Sequence, residues 1–380
     1  MSGISGHPAR EPPRTPDGAG LVESVPFSEL PGWADDTHGA AFAAFLVTAR
    51  SVGQSPPKQR AIGPSGAALR SAASAALAQQ TPSDQEARAF FERHFRACRI
   101  LSPGFVTGYF EPEVEGRRQA EAGFPIPLYR RPPDLVDIRA GNAPPGWDSA
   151  MRFARRTAAG PVPYFTRAEI EEGALRGQGL ELAWLESPVD AFFIHVQGSA
   201  RLNLGEGEVM RIAYDGKAGH PYTSIGKRAV ERGLLPLAGA DKDGLEQWLR
   251  AHPHEGRRLM HENRSFIFFR EVQALDENDG PIGAAGVPLT AGRSLAVDRT
   301  LVTFGTPLWV AATDLPDLDA AGTPFRRLMI AQDTGSAILG PARGDIFVGS
   351  GAAAGSAAGK IRHTAAMFVL EAVDPAGLPP

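Results

Sequence analysis

Phe42, Phe45, Leu46 and Ala49 recur at i, i+3, i+4 and i+7 within DDTHGAAFAAFLVTARSV, the spacing of one apolar helix face. A second helix is predicted to start with Thr81 as N-cap and Pro82 in the first helical position, with Asp84 and Glu86 near the positive end of its dipole. Ala87, Phe90, Phe91, His94, Phe95 and Cys98 continue its apolar face. His94 and Cys98 stand four residues apart, as a metal-binding pair would. Both lie on the apolar stripe, which favours core packing.

After Leu101 the texture changes. FVTGYFEPEVEG is strand-like, and RRQAEAGFPIPLYRRPPDLVDI is broken by proline and extended. From about 160 to 235, short strands alternate with turns in GPVPYF, LELAWLES, DAFFIHVQGSARLNL and GEVMRIAYDG. Thr166 with Glu169 three residues on has the form of a capping box opening a short helix. Residues 243–262 are helical, interrupted at Pro253. The pattern then returns to strands in SFIFFREV, SLAVD, PLWVAAT, RRLMIAQD, DIFVG and AAMFVLEAV. GSGAAAGSAAGK at 349–360 superficially resembles a phosphate loop. Ile361 stands where the magnesium-binding hydroxyl would be, so a tight or mobile turn is expected instead.

Composition narrows the function classes. The 39 Lys and Arg against 43 Asp and Glu in 380 residues leave a net charge of −4, which argues against a nucleic-acid binder held by phosphate contacts. A content of 43 glycines and 33 prolines favours a loop-rich β protein over a helical bundle. One cysteine, Cys98, excludes an intrachain disulfide and a multi-thiolate zinc site. His195, His220, His254, His261 and His363 show no metal-binding spacing, so no metal or cofactor is expected. No GxSxG elbow is present for serine hydrolysis. No apolar run is long enough to span a membrane. The polar, Pro/Gly-rich first 25 residues read as a disordered lead-in with no visible signal peptide.

Three aspartates remain. Asp298, Asp333 and Asp345 sit at strand ends of one β segment, and the residues between Asp333 and Asp345 are rich in glycine and proline. Such a loop can turn and bring two carboxylates near each other, where burial and like charge keep one of them protonated near neutral pH. Turn-capping by aspartate is the competing reading at each position.

An ordered series of motifs adds a family. TGYFEPEVEG, FPIPLYRRPPDL, TRAEIEEGAL, VDAFFIHVQGSARL, GHPYTSIGK, NRSFIFF, GVPLTAGRSLAVDRTLVTFGTPLWV and RLMIAQDTGSAILGPARGDIFVGSG resemble the membrane-bound lytic murein transglycosylase A family with its three-aspartate domain. The resemblance covers about residues 100 to 370. It implies a mainly β fold with N-terminal helices, a double-psi β-barrel and a smaller inserted β-barrel, with a substrate groove between them. The barrel domain would take 26–110 and 243–380, with the three-aspartate segment at about 285–375; the insert would take 111–242.

The implied reaction cleaves the β-1,4 bond between N-acetylmuramic acid and N-acetylglucosamine, leaving a 1,6-anhydro end. The resemblance gives Asp345 as catalytic acid/base, with Asp333 and Asp298 as the other signature aspartates. Tyr109, Glu111, Gln197, Ser199, Tyr222 and Lys227 are candidate groove contacts, with turn roles equally open. Peptidoglycan strands are the implied partner, with cell-wall synthesis or division proteins as further candidates, a monomer as the expected state, and a periplasmic, outer-membrane-associated location. An inverting hydrolase using Asp345 and Asp333 and a non-catalytic glycan-binding protein are the alternatives.

Overall fold

The computed structural model describes residues 20–373 except positions 56, 140–141, 149–150, 274–275, 277–278, 314, 316–317 and 320–321. Of the expected lead-in, residues 1–19 lie outside the described residues, and Val22–Val25 form strand β1 rather than disordered chain. Helices α1 (His38–Val52), α2 (Gly66–Leu77) and α3 (Asp84–His94) follow. Phe42, Phe45 and Ala49 are buried as the periodicity of α1 predicts.

α3 starts later and ends earlier than the pattern suggests. Ser83, not Thr81, is its N-cap, in a capping box with Glu86. The backbone turns extended at Phe95, so Cys98 lies on strand β2 (Phe95–Ile100) and His94 ends the helix, its ring 4.6 Å from that of Phe90. The two never share a helix face.

Strand β3 (Gly104–Glu111) leads across Pro112 into β4 (Glu113–Arg117), β5 (Ile126–Tyr129), and a separate three-stranded sheet of β6 (Leu135–Asp137), β7 (Phe153–Thr157) and β8 (Gly160–Val162). The Thr166–Glu169 capping box opens α4 (Arg167–Glu169). Next come β9 (Glu181–Leu185), α5 (Pro188–Gln197), β10 (Ser199–Gly205), β11 (Glu208–Lys217), α6 (Ile225–Glu231), α7 (Lys242–Ala251), α8 (Pro253–His261) and β12 (Ile267–Val272). DAFFIHVQGSARLNL is therefore a helix and then a strand. Ser187 caps α5, and Gly198, at φ 84°, ends it in the left-handed region that glycine adopts freely. Its buried run Ala191–His195 carries no legible period, because every position there is apolar or enclosed.

The second sheet runs β12-β11-β10-β4-β9-β5, and a bridge from Arg130 to Phe269 brings its two ends together. Because β12 pairs with β11, the return to the first domain falls after Val272 rather than at 243.

The remaining elements are β13 (Ser294–Val297), β14 (Pro307–Ala312), β15 (Arg326–Asp333), β16 (Arg343–Ser350), α9 (Gly351–Lys360) and β17 (Arg362–Ala372). The first sheet runs β1-β2-β17-β14-β15-β13-β16-β3, and β17 also pairs with β3, closing a barrel of β17, β14, β15, β13, β16 and β3. Leu295, Val297, Leu308, Met329, Ile346 and Val369 fill its interior. Helices α1–α3 cover its outside through Trp309, Leu328, Ile330 and Phe368.

α9 occupies the stretch expected as a turn. Its glycines allow close packing: a Cβ on Gly355 would lie 2.8 Å from the Phe110 ring, and one on Gly359 2.7 Å from Lys242 Cβ.

Candidate active site

Neighbours in register across a sheet project from the same face. Asp345 on β16 stands opposite Ala296 on one side and Thr107 on the other, and Asp333 on β15 also stands opposite Ala296. Asp333, Ala296, Asp345 and Thr107 thus form one row across four adjacent strands. Their chain neighbours Leu295, Val297, Ile346 and Val106 point into the barrel interior, so the row lies on its outside.

A register shift between Leu295 and Ala296 produces this alignment: Ala331 faces Leu295, Asp333 faces Ala296, and Gln332 is the extra residue. Strict alternation would have sent Asp333 inward with Ala331; the bulge re-aims it. Gln332 is fully buried, and its amide donates to Ala44 O at 3.0 Å and Thr48 Oγ1 at 2.8 Å, fixing the bulge against α1.

Burial pushes the Asp345 carboxyl up to about 6. The Thr107 hydroxyl donates to its Oδ1 and Arg343 stands nearby, both drawing the value down, while Asp333 makes the smallest contribution upward. Arg343 Nη2 donates to Thr107 Oγ1 at 2.6 Å, which turns the threonine proton toward Asp345. Asp333 is also raised by burial, but both its oxygens are occupied: Oδ1 accepts from Ala284 N–H at 2.8 Å and Oδ2 from the Tyr109 hydroxyl at 2.9 Å. Burial, reinforced by Asp333 and Asp345, holds the Tyr109 phenol well above its ordinary range, so it remains a donor.

Asp298 does not join the row. Its Oδ1 accepts from Thr300 N–H at 2.9 Å and Thr300 Oγ1 at 2.6 Å, and its Oδ2 accepts from Gly340 N–H at 2.9 Å. It pins the chain between Asp333 and Asp345.

Glu111, expected in the groove, is completely buried where the chain crosses between domains. It accepts from Arg201 Nε at 2.8 Å, Ser350 Oγ at 2.8 Å and Arg211 Nη2 at 3.3 Å. Both arginines also reach Asp279 O, on the return crossing. The result is an interdomain clamp.

Gln197 and Tyr222 do line the cleft between β3, α9 and α5–α7, together with Thr107, Phe110, Lys242 and Arg362. Gln197 Oε1 accepts from Phe110 N–H at 3.1 Å, and Tyr222 is 39% exposed. Ser199 is instead buried opposite Ala213 at the start of β10. The Lys227 side chain is 77% exposed and pairs with Glu231 at 3.8 Å, outside that lining.

Thr107 and Arg343 were not singled out by residue type. Thr107 lay in TGYF and Arg343 in PARGD, but only the pairing of β3 with β16 shows that they meet Asp345. Among the described residues no grouping of three or more His, Cys, Asp or Glu could hold a metal ion.

Residues 105–270 match the family model described as the MltA specific insert domain, and residues 293–371 match the 3D domain. The chain is 44% identical to the membrane-bound lytic murein transglycosylase of Agrobacterium tumefaciens, whose structure superposes with a TM-score of 0.86 over 93% of this chain and 98% of that one. It is 35% identical to membrane-bound lytic murein transglycosylase A of Vibrio cholerae over 68% of this chain, and the match spans 62% of that relative's length. The structure of Escherichia coli MltA with bound chitohexaose is 26% identical, with a TM-score of 0.67 over 94% of this chain and 96% of that one.

Proposed function

This chain belongs to the membrane-bound lytic murein transglycosylase A family, and on that premise we propose that it cleaves the β-1,4 bond between N-acetylmuramic acid and N-acetylglucosamine without water, leaving a 1,6-anhydro end. The observation that carries this reading is the placement of Asp345, a carboxylic acid raised to about 6 and held by Thr107, which lines the cleft, on the same sheet face as a second carboxylate whose oxygens are both engaged.

Thr107 occupies Oδ1 of Asp345, so the acid proton resides on Oδ2. From there it passes to the glycosidic oxygen as the bond to C1 breaks. The resulting carboxylate accepts the proton of the sugar's own C6 hydroxyl as that oxygen bonds to C1. The nucleophile is tethered to the electrophile, and effective molarity replaces a base-activated water. One group returns to its starting protonation state at the end of each cycle. Gln197, Tyr222 and Phe110 border the cleft along which a glycan chain would lie; that the ligand is a glycan is supported by the chitohexaose bound to the Escherichia coli relative.

An inverting hydrolase would need Asp333 as a free base facing water. Its bonds to Ala284 and Tyr109 favour a fixed electrostatic role. Mass spectrometry of soluble muropeptides separates the two: transglycosylase products are about 18 Da lighter than hydrolysed ones because no water is added. Mainly full-mass reducing ends would defeat the reading.

The same kinship supports a periplasmic, outer-membrane-associated site of action, where peptidoglycan is found. Among the described residues no helix is long and apolar enough to cross a membrane.

A further inference from the structure

The row of Asp333, Ala296, Asp345 and Thr107 has two dissimilar ends. At the Thr107 end lies the cleft bordered by Phe110, Phe192, Gln197 and Tyr222. At the Asp333 end, Ala284, whose N–H holds Asp333, also lines a second recess together with Lys58, Arg60 and Arg299. No acidic residue lines this recess, and among the described residues none of the three cations is ion-paired.

The cationic wall is held in place. Arg60 N–H donates to Thr303 Oγ1 at 2.9 Å, and Ile62 exchanges backbone bonds with Leu301 and Thr303 at 2.9 and 3.0 Å. Ser51 and Ser55 from the end of α1 add hydroxyls. Arg299 joins that wall from the segment just after β13, next to Asp298. The recess therefore adjoins the Asp333 end of the row through Ala284.

Cations gathered around one recess repel one another, and an anion there relieves them all. The sugar ring of a glycan offers only neutral hydroxyl and acetamido groups. The acidic groups of peptidoglycan are on the muramic side chain.

We propose that the recess of Lys58, Arg60 and Arg299 is a carboxylate-binding subsite for that side chain, taking either the lactyl carboxylate or a carboxylate of the peptide attached to it. The proposal rests on the peptidoglycan reading above and adds to it a charged determinant of substrate choice.

The test is equilibrium binding, with Asp345→Asn as the parent so that nothing turns over. The probes are glycan strands carrying peptides, strands stripped of peptides to free the lactyl carboxylate, and neutral chitohexaose. Adding Lys58→Gln and Arg60→Gln together should weaken an acidic probe by about tenfold and leave chitohexaose unchanged. The loss should shrink as salt rises. Loss on the stripped strand alone assigns the lactyl carboxylate, loss on the peptide-bearing strand alone assigns the peptide, and loss on both shows that the recess takes either carboxylate. Equal weakening of chitohexaose, or no weakening of either acidic probe, overturns the subsite. A parent that binds none of the three probes defeats the peptidoglycan reading itself. Arg299→Gln, from a different segment, should repeat the pattern if the recess acts as one unit.

Discussion

Asp333 and Asp345 face each other across a single alanine, each standing opposite Ala296 from the strands on either side of it. Two interstrand spacings put their Cα atoms roughly 10 Å apart. At that range a like charge adjusts acidity without forcing the pair to share a proton. Burial, not Asp333, therefore sets most of the Asp345 shift.

On the proposed mechanism Asp345 must be protonated to begin the reaction, so the rate should fall as pH rises through its raised value of about 6. One unit above that value only about a tenth of the enzyme carries the acid proton. Asp333→Asn removes a negative charge, lowers the Asp345 pKa and moves the alkaline limb to lower pH. At an effective dielectric near 20 and roughly 10 Å, the interaction is roughly 1.7 kcal/mol before salt screening, so the shift should be about one unit or less. A shift upward would contradict the charge argument.

Thr107→Val and Arg343→Gln should act with the opposite sign. Each removes a group that favours the Asp345 carboxylate, so the pKa rises and the alkaline limb moves to higher pH. pH–rate profiles of the two variants check this. An unmoved limb in both would mean that neither residue acts on Asp345.

Asp345→Asn keeps the shape of the side chain and removes the transferable proton. Turnover should drop by about 10²–10⁴-fold while thermal unfolding is little changed. Retention of more than about a tenth of the parent rate would require a different acid.

Asp298→Ala frees Gly340 and Thr300 but leaves the groups around Asp345 in place. The expected result is a kcat loss of up to about 10²-fold from misplacement, with the alkaline limb unmoved. A limb that moves as far as in Asp333→Asn would place Asp298 in the electrostatic set instead.

Glu111→Ala leaves the guanidinium groups of Arg201 and Arg211 without their buried partner. Breaking such a cluster from one side costs about 3–5 kcal/mol, to be read as a lower denaturant midpoint. Glu111→Gln, which keeps an acceptor, should lose less. Equal stability in both variants and the parent would show that the clamp carries no net energy.

The barrel strands were legible because each is a short apolar run bounded by turn residues, and β13 to β17 fall where the pattern places them. α5 was not, because its apolar run lacks a period; nor was α9, whose glycines serve close packing against Phe110 and Lys242. The aspartates could be picked out by type, but their division of labour could not. Asp345 and Thr107 are 238 residues apart, and their contact exists only through parallel pairing of β16 with β3. Glu111 reads as a groove residue because, with Tyr109, it lies where the chain crosses towards the inserted domain. Arginines on β10 and β11, far along the chain, are what make it structural. Asp333 reaches the site through one extra residue in β15, and a bulge leaves no mark in hydrophobic periodicity.

Closure of the barrel by β17 also dictates an order of events. β3 is made early, yet its antiparallel neighbour Arg362–Ala365 is made only after more than 250 intervening residues, among them the whole second sheet. A chain still being synthesised can complete the second sheet while β3 and β14 wait with open edges. Joining such distant segments is slow, and it exposes those edges meanwhile. On the proposed function, the site is thus unfinished until β17 is in place, and incomplete chains would be harmless to the wall but prone to stick to one another.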